Sequence, residues 1–100
     1  MICCSFVFQP GVYDDDFHQL DGEIDTFARS LPGFVRADIW YSEDRSTINA
    51  NYFFSDHDAV RLLATYPTHL EAKSQVRRWY QRYKVVISEV TATYGDEFDI

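Results

Sequence analysis

Hydrophobic positions along the chain alternate between a period of two and a helical period, and the switches mark its elements. The run Ile2 to Phe8 (Ile-Cys-Cys-Ser-Phe-Val-Phe) is β-prone and stops at the turn signal Gln9-Pro10-Gly11, which predicts a first strand. Asp14, Asp15 and Asp16 then place negative charge where a helix N-terminus is positive, and Phe17, Leu20, Ile24, Phe27, Ala28 and Leu31 recur at helical spacing up to Pro32-Gly33. Phe34 to Ser42 and Thr47 to Ser55 are rich in aromatic and β-branched residues around the polar loop 43–46, the pattern of a hairpin. Ser55 and Asp58 resemble a capping box for a short helix that carries Ala59, Val60, Leu62 and Leu63 and ends at Pro67. A main second helix is expected from about Thr68 to Tyr83, a closing strand from Val85 to Tyr94, and an acidic tail over 95–100.

The order βαββαβ predicts an α+β, ferredoxin-like domain spanning residues 1–100, with a four-stranded antiparallel sheet and helices on one face. The other face also carries large groups, since Trp40 and Tyr41, or Tyr52 and Phe53, project to opposite sides of their strands. A sheet-to-sheet dimer would bury them.

Charge narrows the partners. The formal charge of -7 sets the chain against nucleic-acid phosphates and anionic membrane surfaces. Its basic cluster, Lys73, Arg77, Arg78, Arg82 and Lys84, reads as a solvated face. Cys3 and Cys4 are adjacent, so a bond between them would be strained, and neither has the spacing of a zinc ligand. Reduced thiols, with neither a targeting signal nor a membrane span in the sequence, give a cytoplasmic expectation.

At roughly 100° per residue, His69 shares a helix face with Ala72, Val76, Trp79, Tyr80 and Tyr83. An inward imidazole is either a base, because it titrates near neutral pH, or a packed histidine bonded to backbone. The aromatics can stack on a flat ligand or form plain core, and core is the expected role for two of the three. His18 reads as a solvated ion-pair partner and His57 as an exposed polar residue. Asn49 and Asn51 share one side of their strand while Arg36, Asp38 and Trp40 share a side of the neighbouring one. If the asparagines face the helices they are amide donors to a ligand; otherwise they bond across a dimer seam.

Leu31-Pro32-Gly33-Phe34, Ser42-Glu43-Asp44, Pro67-Thr68-His69 with Ala72, Trp79-Tyr80 to Tyr83, Glu89-Val90 and Tyr94-Gly95-Asp96 together resemble the antibiotic biosynthesis monooxygenase superfamily over nearly the whole chain. The resemblance implies a homodimeric α+β barrel with one cleft per subunit, between helices and sheet, for an aromatic or polycyclic substrate. It further implies oxygenation by dioxygen without metal or flavin, of a phenol, anthrone or quinol. On that reading His69 is the base, and Trp79, Tyr80, Tyr83, Asn49 and Asn51 bind substrate. The alternatives are a non-catalytic dimeric module that binds a small molecule in the same cleft, and a haem-binding or haem-degrading enzyme. The haem branch of the family uses a strand-one asparagine, a short-helix tryptophan and a histidine whose place is taken here by Lys73, so the chain departs from it at all three positions.

Overall fold

The chain forms β1 (Ile2–Pro10), α1 (Asp15–Ser30), β2 (Phe34–Tyr41), β3 (Ile48–Phe54), α2 (His57–Thr65), α3 (Pro67–Ser74), α4 (Val76–Trp79) and β4 (Tyr80–Glu89). These elements come from a computed structural model that describes residues 1–96, so the expected acidic tail lies outside the described residues from position 97 onward. The strands make one sheet in the order β2-β3-β1-β4 with every neighbouring pair antiparallel. Strand β3 is thus inserted between β1 and β2, the two strands that α1 connects, which is the ferredoxin-like arrangement the hydrophobic pattern predicts.

Register decides which side chains meet the helices. Ile2 lies opposite Phe54, Cys4 opposite Tyr52 and Phe6 opposite Ala50, while Ala37 and Ile39 of β2 face Tyr52 and Ala50 from the other side. Because side chains alternate along a strand, these residues share one face. It is the helix-covered face: Phe54, with 0% exposure, packs with Ala28 and Leu31 at the end of α1 and with Ala59 and Leu63 of α2. Burying one side chain of that size contributes about 1.5–3 kcal/mol. The opposite, open face carries Cys3, Ser5, Arg36, Asp38, Trp40, Asn49 and Asn51.

Helix α1 begins where the acidic triplet predicts, with Asp14 as N-cap accepting from the Phe17 N–H at 2.9 Å. For α2 the cap is Asp56, which accepts from the Ala59 N–H at 3.0 Å, and not the expected Ser55. The Ser55 N–H instead reaches the Gly33 carbonyl at 2.7 Å. Gly33 has φ +94, and a Cβ there would stand 2.7 Å from the Ser55 hydroxyl, so this turn requires glycine.

The expected helix from Thr68 to Tyr83 is not formed as one piece. The chain leaves α3 at Gln75, makes the single turn α4, and is already extended at Tyr80. The reason is the sheet: Tyr80 to Glu89 ladders against β1, with Tyr83 opposite Phe8, Val85 opposite Phe6 and Ile87 opposite Cys4. Those apolar residues have a period of two, and ten residues of ladder outweigh a last helical turn. The strand correspondingly ends at Glu89, short of the expected Tyr94. Among the described residues no helix is long and apolar enough to cross a membrane.

Candidate functional site

The space between α1 and the sheet is filled at one end and open at the other. At the filled end Tyr80 stands edge-on to Phe6, Phe8, Tyr13 and Phe17 at centroid distances of 5.0 to 6.0 Å. Tyr13 also stacks flat on Phe17 at 3.9 Å. These rings, Phe17 apart, are partly buried and turn their edges on one another, while Tyr83, Val85 and Ile87 of β4 on the same face stay exposed.

At the open end a cavity of about 320 Å³ lies between α1 and the β2–β3 hairpin, lined by Asp25, Arg29, Ala37, Asp38, Ile39, Ala50 and Tyr52. Positions 17, 21, 24, 25 and 28 fall on the side of α1 that meets the sheet, because Phe17 and Ala28 are its buried residues. This sets Asp21 and Asp25, one turn apart, on that side. The Tyr52 hydroxyl rises from the sheet and donates to Asp25 Oδ1 at 2.5 Å. That distance is the short end of the range for a hydroxyl bonded to a carboxylate, about 2.5–2.7 Å. Arg29 Nε donates to the other carboxylate oxygen at 2.9 Å.

Burial pushes the Tyr52 phenol well above its ordinary value, and its bond to Asp25 and the charges of Asp25 and Asp21 push the same way against the smaller effect of Arg29. Tyr52 is therefore a proton donor throughout the physiological range. Burial and the Asp25 charge also raise the Asp21 carboxyl, with His18 opposing. The cavity thus has a polar wall of one carboxylate, one phenol and one guanidinium facing an apolar wall of Ala37, Ile39 and Ala50. Such a wall can take a proton from a bound hydroxyl and steady the resulting oxyanion with the phenol.

The sequence matches no family model and no curated protein. Solved structures with this fold are plentiful. A mutant form of SnoaB from Streptomyces nogalater, described as a cofactor-independent oxygenase, superposes with a TM-score of 0.74 at 20% identity, covering 95% of this chain and 97% of that one. A Deinococcus radiodurans protein, described provisionally as an antibiotic biosynthesis monooxygenase, gives 0.73 at 11% identity over 98% and 100%. One from Nitrosomonas europaea, described in the same provisional terms, gives 0.69 at 17% identity over 92% and 100%. The chain has the fold of the antibiotic biosynthesis monooxygenases.

Within this antibiotic biosynthesis monooxygenase fold, the residues singled out from sequence are dispersed. His69 sits on α3 and lines neither the cavity described above nor the open groove beside Gln19, Glu23, Phe27 and Tyr66. Its Nδ1–H donates to the Leu63 carbonyl at 2.9 Å, which leaves Nε2 as the unprotonated nitrogen. Burial and the Lys73 charge lower its pKa against the effect of that carbonyl. The common face expected for His69, Trp79, Tyr80 and Tyr83 is not formed, because the helix stops at Ser74 and restarts only for one turn. Trp79 is 2% exposed and its Nε1–H donates to Asp14 at 3.0 Å, so it closes the core. Tyr80 belongs to the aromatic block, and Tyr83 lies edge-on to Phe6 at 5.9 Å beneath the Arg77 guanidinium.

Asn49 and Asn51 occupy the open face and not the helix-covered one, because β3 places its even-numbered residues toward the helices. They are therefore outside the helix–sheet cleft. Asn51 accepts from Ser5 at 2.7 Å and donates to Asp38 at 2.9 Å, and Asp38 also accepts from the Trp40 indole at 3.0 Å. The cavity residues Asp25 and Tyr52, and their neighbour Asp21, went unnoticed in the sequence. Their signal is there: two carboxylates at i and i+4 on the apolar stripe of α1, where a purely amphipathic helix has none.

Proposed function

We propose that this chain is a cofactor-independent monooxygenase of an electron-rich aromatic alcohol, acting in the cavity between α1 and the β2–β3 hairpin. The observation that carries the reading is the 2.5 Å bond from Tyr52 to Asp25 on the wall of that cavity. It supplies a base and a neutral donor side by side in a fold shared with a cofactor-independent oxygenase.

Asp25 takes the hydroxyl proton of the substrate, and Tyr52 hydrogen-bonds the aryloxide that forms. The aryloxide is the reductant: it passes one electron to dioxygen, and the two radicals join at an activated ring carbon as a peroxide. Protonation of the distal oxygen, loss of the C–H proton from that carbon and cleavage of the O–O bond give a carbonyl and one water. For an aryl alcohol the balance is substrate plus dioxygen to quinone plus water, with no outside electron donor. The apolar wall of Ala37, Ile39 and Ala50 keeps the aryloxide poorly solvated, which favours its oxidation. His69 is a second candidate base, because its unprotonated Nε2 and lowered pKa keep it neutral and basic at pH 7.

Oxygen uptake on a panel of naphthols, anthrones and quinols tests the proposal. Asp25→Asn is expected to lower kcat by about 10²–10⁴-fold, and Tyr52→Phe by about 10²-fold or more, whereas His69→Ala leaves it within about twofold. Loss of turnover in His69→Ala alone would transfer the base role to that residue. Absence of oxygen uptake by the wild-type protein with every compound would favour a binding module over an enzyme.

A further inference from the structure

Unlike the other three helices, α3 has no buried residue, and it leans on α1 and α2. Its chain can pivot at both ends. Tyr66 and Pro67 turn it away from α2, and Gln75 ends it with φ -116 and ψ 12 before the single turn of α4. We infer that α3 is a latch released by acid: His69 and Lys73 clamp it onto the last carbonyls of α2, and a proton on His69 sets two cations side by side. The inference does not depend on the reaction proposed above.

The clamp follows from a helix end. The last four carbonyls of a helix have no partner within it. Two of those in α2 are met from α3: His69 Nδ1–H donates to the Leu63 carbonyl at 2.9 Å, and Lys73 Nζ donates to the Ala64 carbonyl at 3.3 Å. The Leu63 carbonyl also takes the Tyr66 N–H at 3.2 Å. His69 and Lys73 are one turn apart, so they reach neighbouring carbonyls from the same side of α3. A ring stack of Tyr66 on Phe27 of α1, at 3.8 Å, completes the attachment. With anchors of this kind and no buried side chain, α3 can open at a lower free energy than the whole fold.

Acid acts on the clamp through charge. On α3 itself Lys73 shares the side of His69, whereas Glu71 lies roughly 200° round the helix. Helix α2 offers Asp58 and Arg61, which pair with each other in solvent. Helix α1 offers Glu23, which accepts from Gln19, and α4 offers Arg78, paired with Asp14, and Arg77, set over the Tyr83 ring. Among the described residues Lys73 is the one whose charge bears on the ring. Burial, with this charge behind it, holds the imidazole below its ordinary value against the pull of the Leu63 carbonyl. An open α3 returns His69 to water, where it titrates near 6.5. The open form therefore binds the proton more tightly than the latched one. Above 6.5 the ring is neutral in both forms and the latch is unaffected. Below it, each unit of pH favours opening by up to about tenfold until the depressed latched value is passed.

Native-state hydrogen exchange on the whole chain, corrected for intrinsic rates and run from about pH 7.5 to about pH 5, tests this. In the wild type the amides from Leu70 to Ser74 are expected to lose protection by about fivefold or more across that range, while those at the centre of α1 lose much less. His69→Asn keeps a neutral donor near the place of Nδ1 and cannot titrate, so protection of α3 should become flat. Lys73→Met removes the second cation; it should lower protection at every pH but shrink the fall, and it serves if His69→Asn fails to fold. Flat protection of α3 in the wild type, an equal fall in α1 and α3, or an undiminished fall in either variant would overturn the inference.

Discussion

Asp21 shows how one side chain on an apolar stripe carries a cost. Burial raises its carboxyl and the Asp25 charge one turn away raises it further. The folded protein therefore binds this proton more tightly than the unfolded chain does, and ionising the group weakens folding. The cost is absent below the ordinary carboxylate value near 3.8, grows as pH rises through it, and is complete above the raised folded value. Because the side chain remains exposed, water screens much of this cost, and Asp21→Asn is expected to melt only slightly higher than wild type at pH 7, with the advantage vanishing in scans below about pH 4. An unchanged melting temperature at pH 7 would mean that the carboxyl is well solvated after all. His69 has the opposite sign of pH dependence, since its lowered pKa makes the neutral ring the folded form and its contribution fades as pH falls through 6.5. The two groups differ also in how readable they were. His69 stood out because imidazole is rare, whereas Asp21 and Asp25 looked like ordinary surface charge, and only their phase relative to Phe17, Ile24 and Ala28 puts exposed Asp21 and half-buried Asp25 on the side of α1 that meets the sheet.

At the scale of elements, Asp14 joins two ends of the chain. Its carboxylate caps α1 through the Phe17 N–H, accepts from the Trp79 indole at 3.0 Å and pairs with Arg78 at 2.7 Å. The Phe17 backbone bond, followed by the Trp79 and Arg78 contacts, holds its pKa below the ordinary value. Its contribution is therefore fully present above about pH 4 and is lost as pH falls through the depressed folded value. Asp14→Ala is expected to lower the melting temperature by several degrees at pH 7, and the gap to wild type should close progressively in acid; a constant gap would assign the loss to helix propensity alone. The cap at Asp14 was legible because an acidic triplet before an apolar helical period has one structural meaning. The α4–β4 junction was not. Val76, Trp79, Tyr80 and Tyr83 fit a period of 3.6, yet Tyr83, Val85 and Ile87 fit a period of two, and only pairing with β1 chooses between them. Local periodicity located β1, α1 and the hairpin correctly for the same reason that it failed here: it cannot see which strand stands alongside. The asparagines of β3 illustrate the same limit, because alternation gives two sides but not which one the helices cover.

At the scale of the whole molecule, the open face of the sheet is built for a cover. It carries Trp40 at 51% and Val86 at 41% exposure beside a hydrogen-bonded strip of Ser5, Asn51 and Asp38 that is ordered without any helix above it. Arg36 Nε stands 3.9 Å from the Asp38 carboxylate of that strip, and the Arg36 guanidinium lies over the Phe53 ring. Two copies related by a twofold axis would place this surface against itself, and a partly apolar, partly polar face of this kind suits such a seam. Stable interfaces bury about 800 Å² from each partner, an area a four-stranded sheet face can supply. Sedimentation equilibrium is therefore expected to return twice the chain mass at micromolar concentration. Trp40→Glu, which puts a charge on the seam in the edge strand β2, should return the single chain mass with unchanged far-ultraviolet circular dichroism. Because Asp38 lines the cavity from β2 and its carboxylate belongs to this strip, the dimer would also hold one cavity wall in place. Monomers made by Trp40→Glu should then bind the naphthols of the oxygen-uptake panel more weakly than the dimer, although no residue lining the cavity has changed. Equal affinity would separate the two surfaces, leaving the dimer a matter of covering the sheet and nothing more.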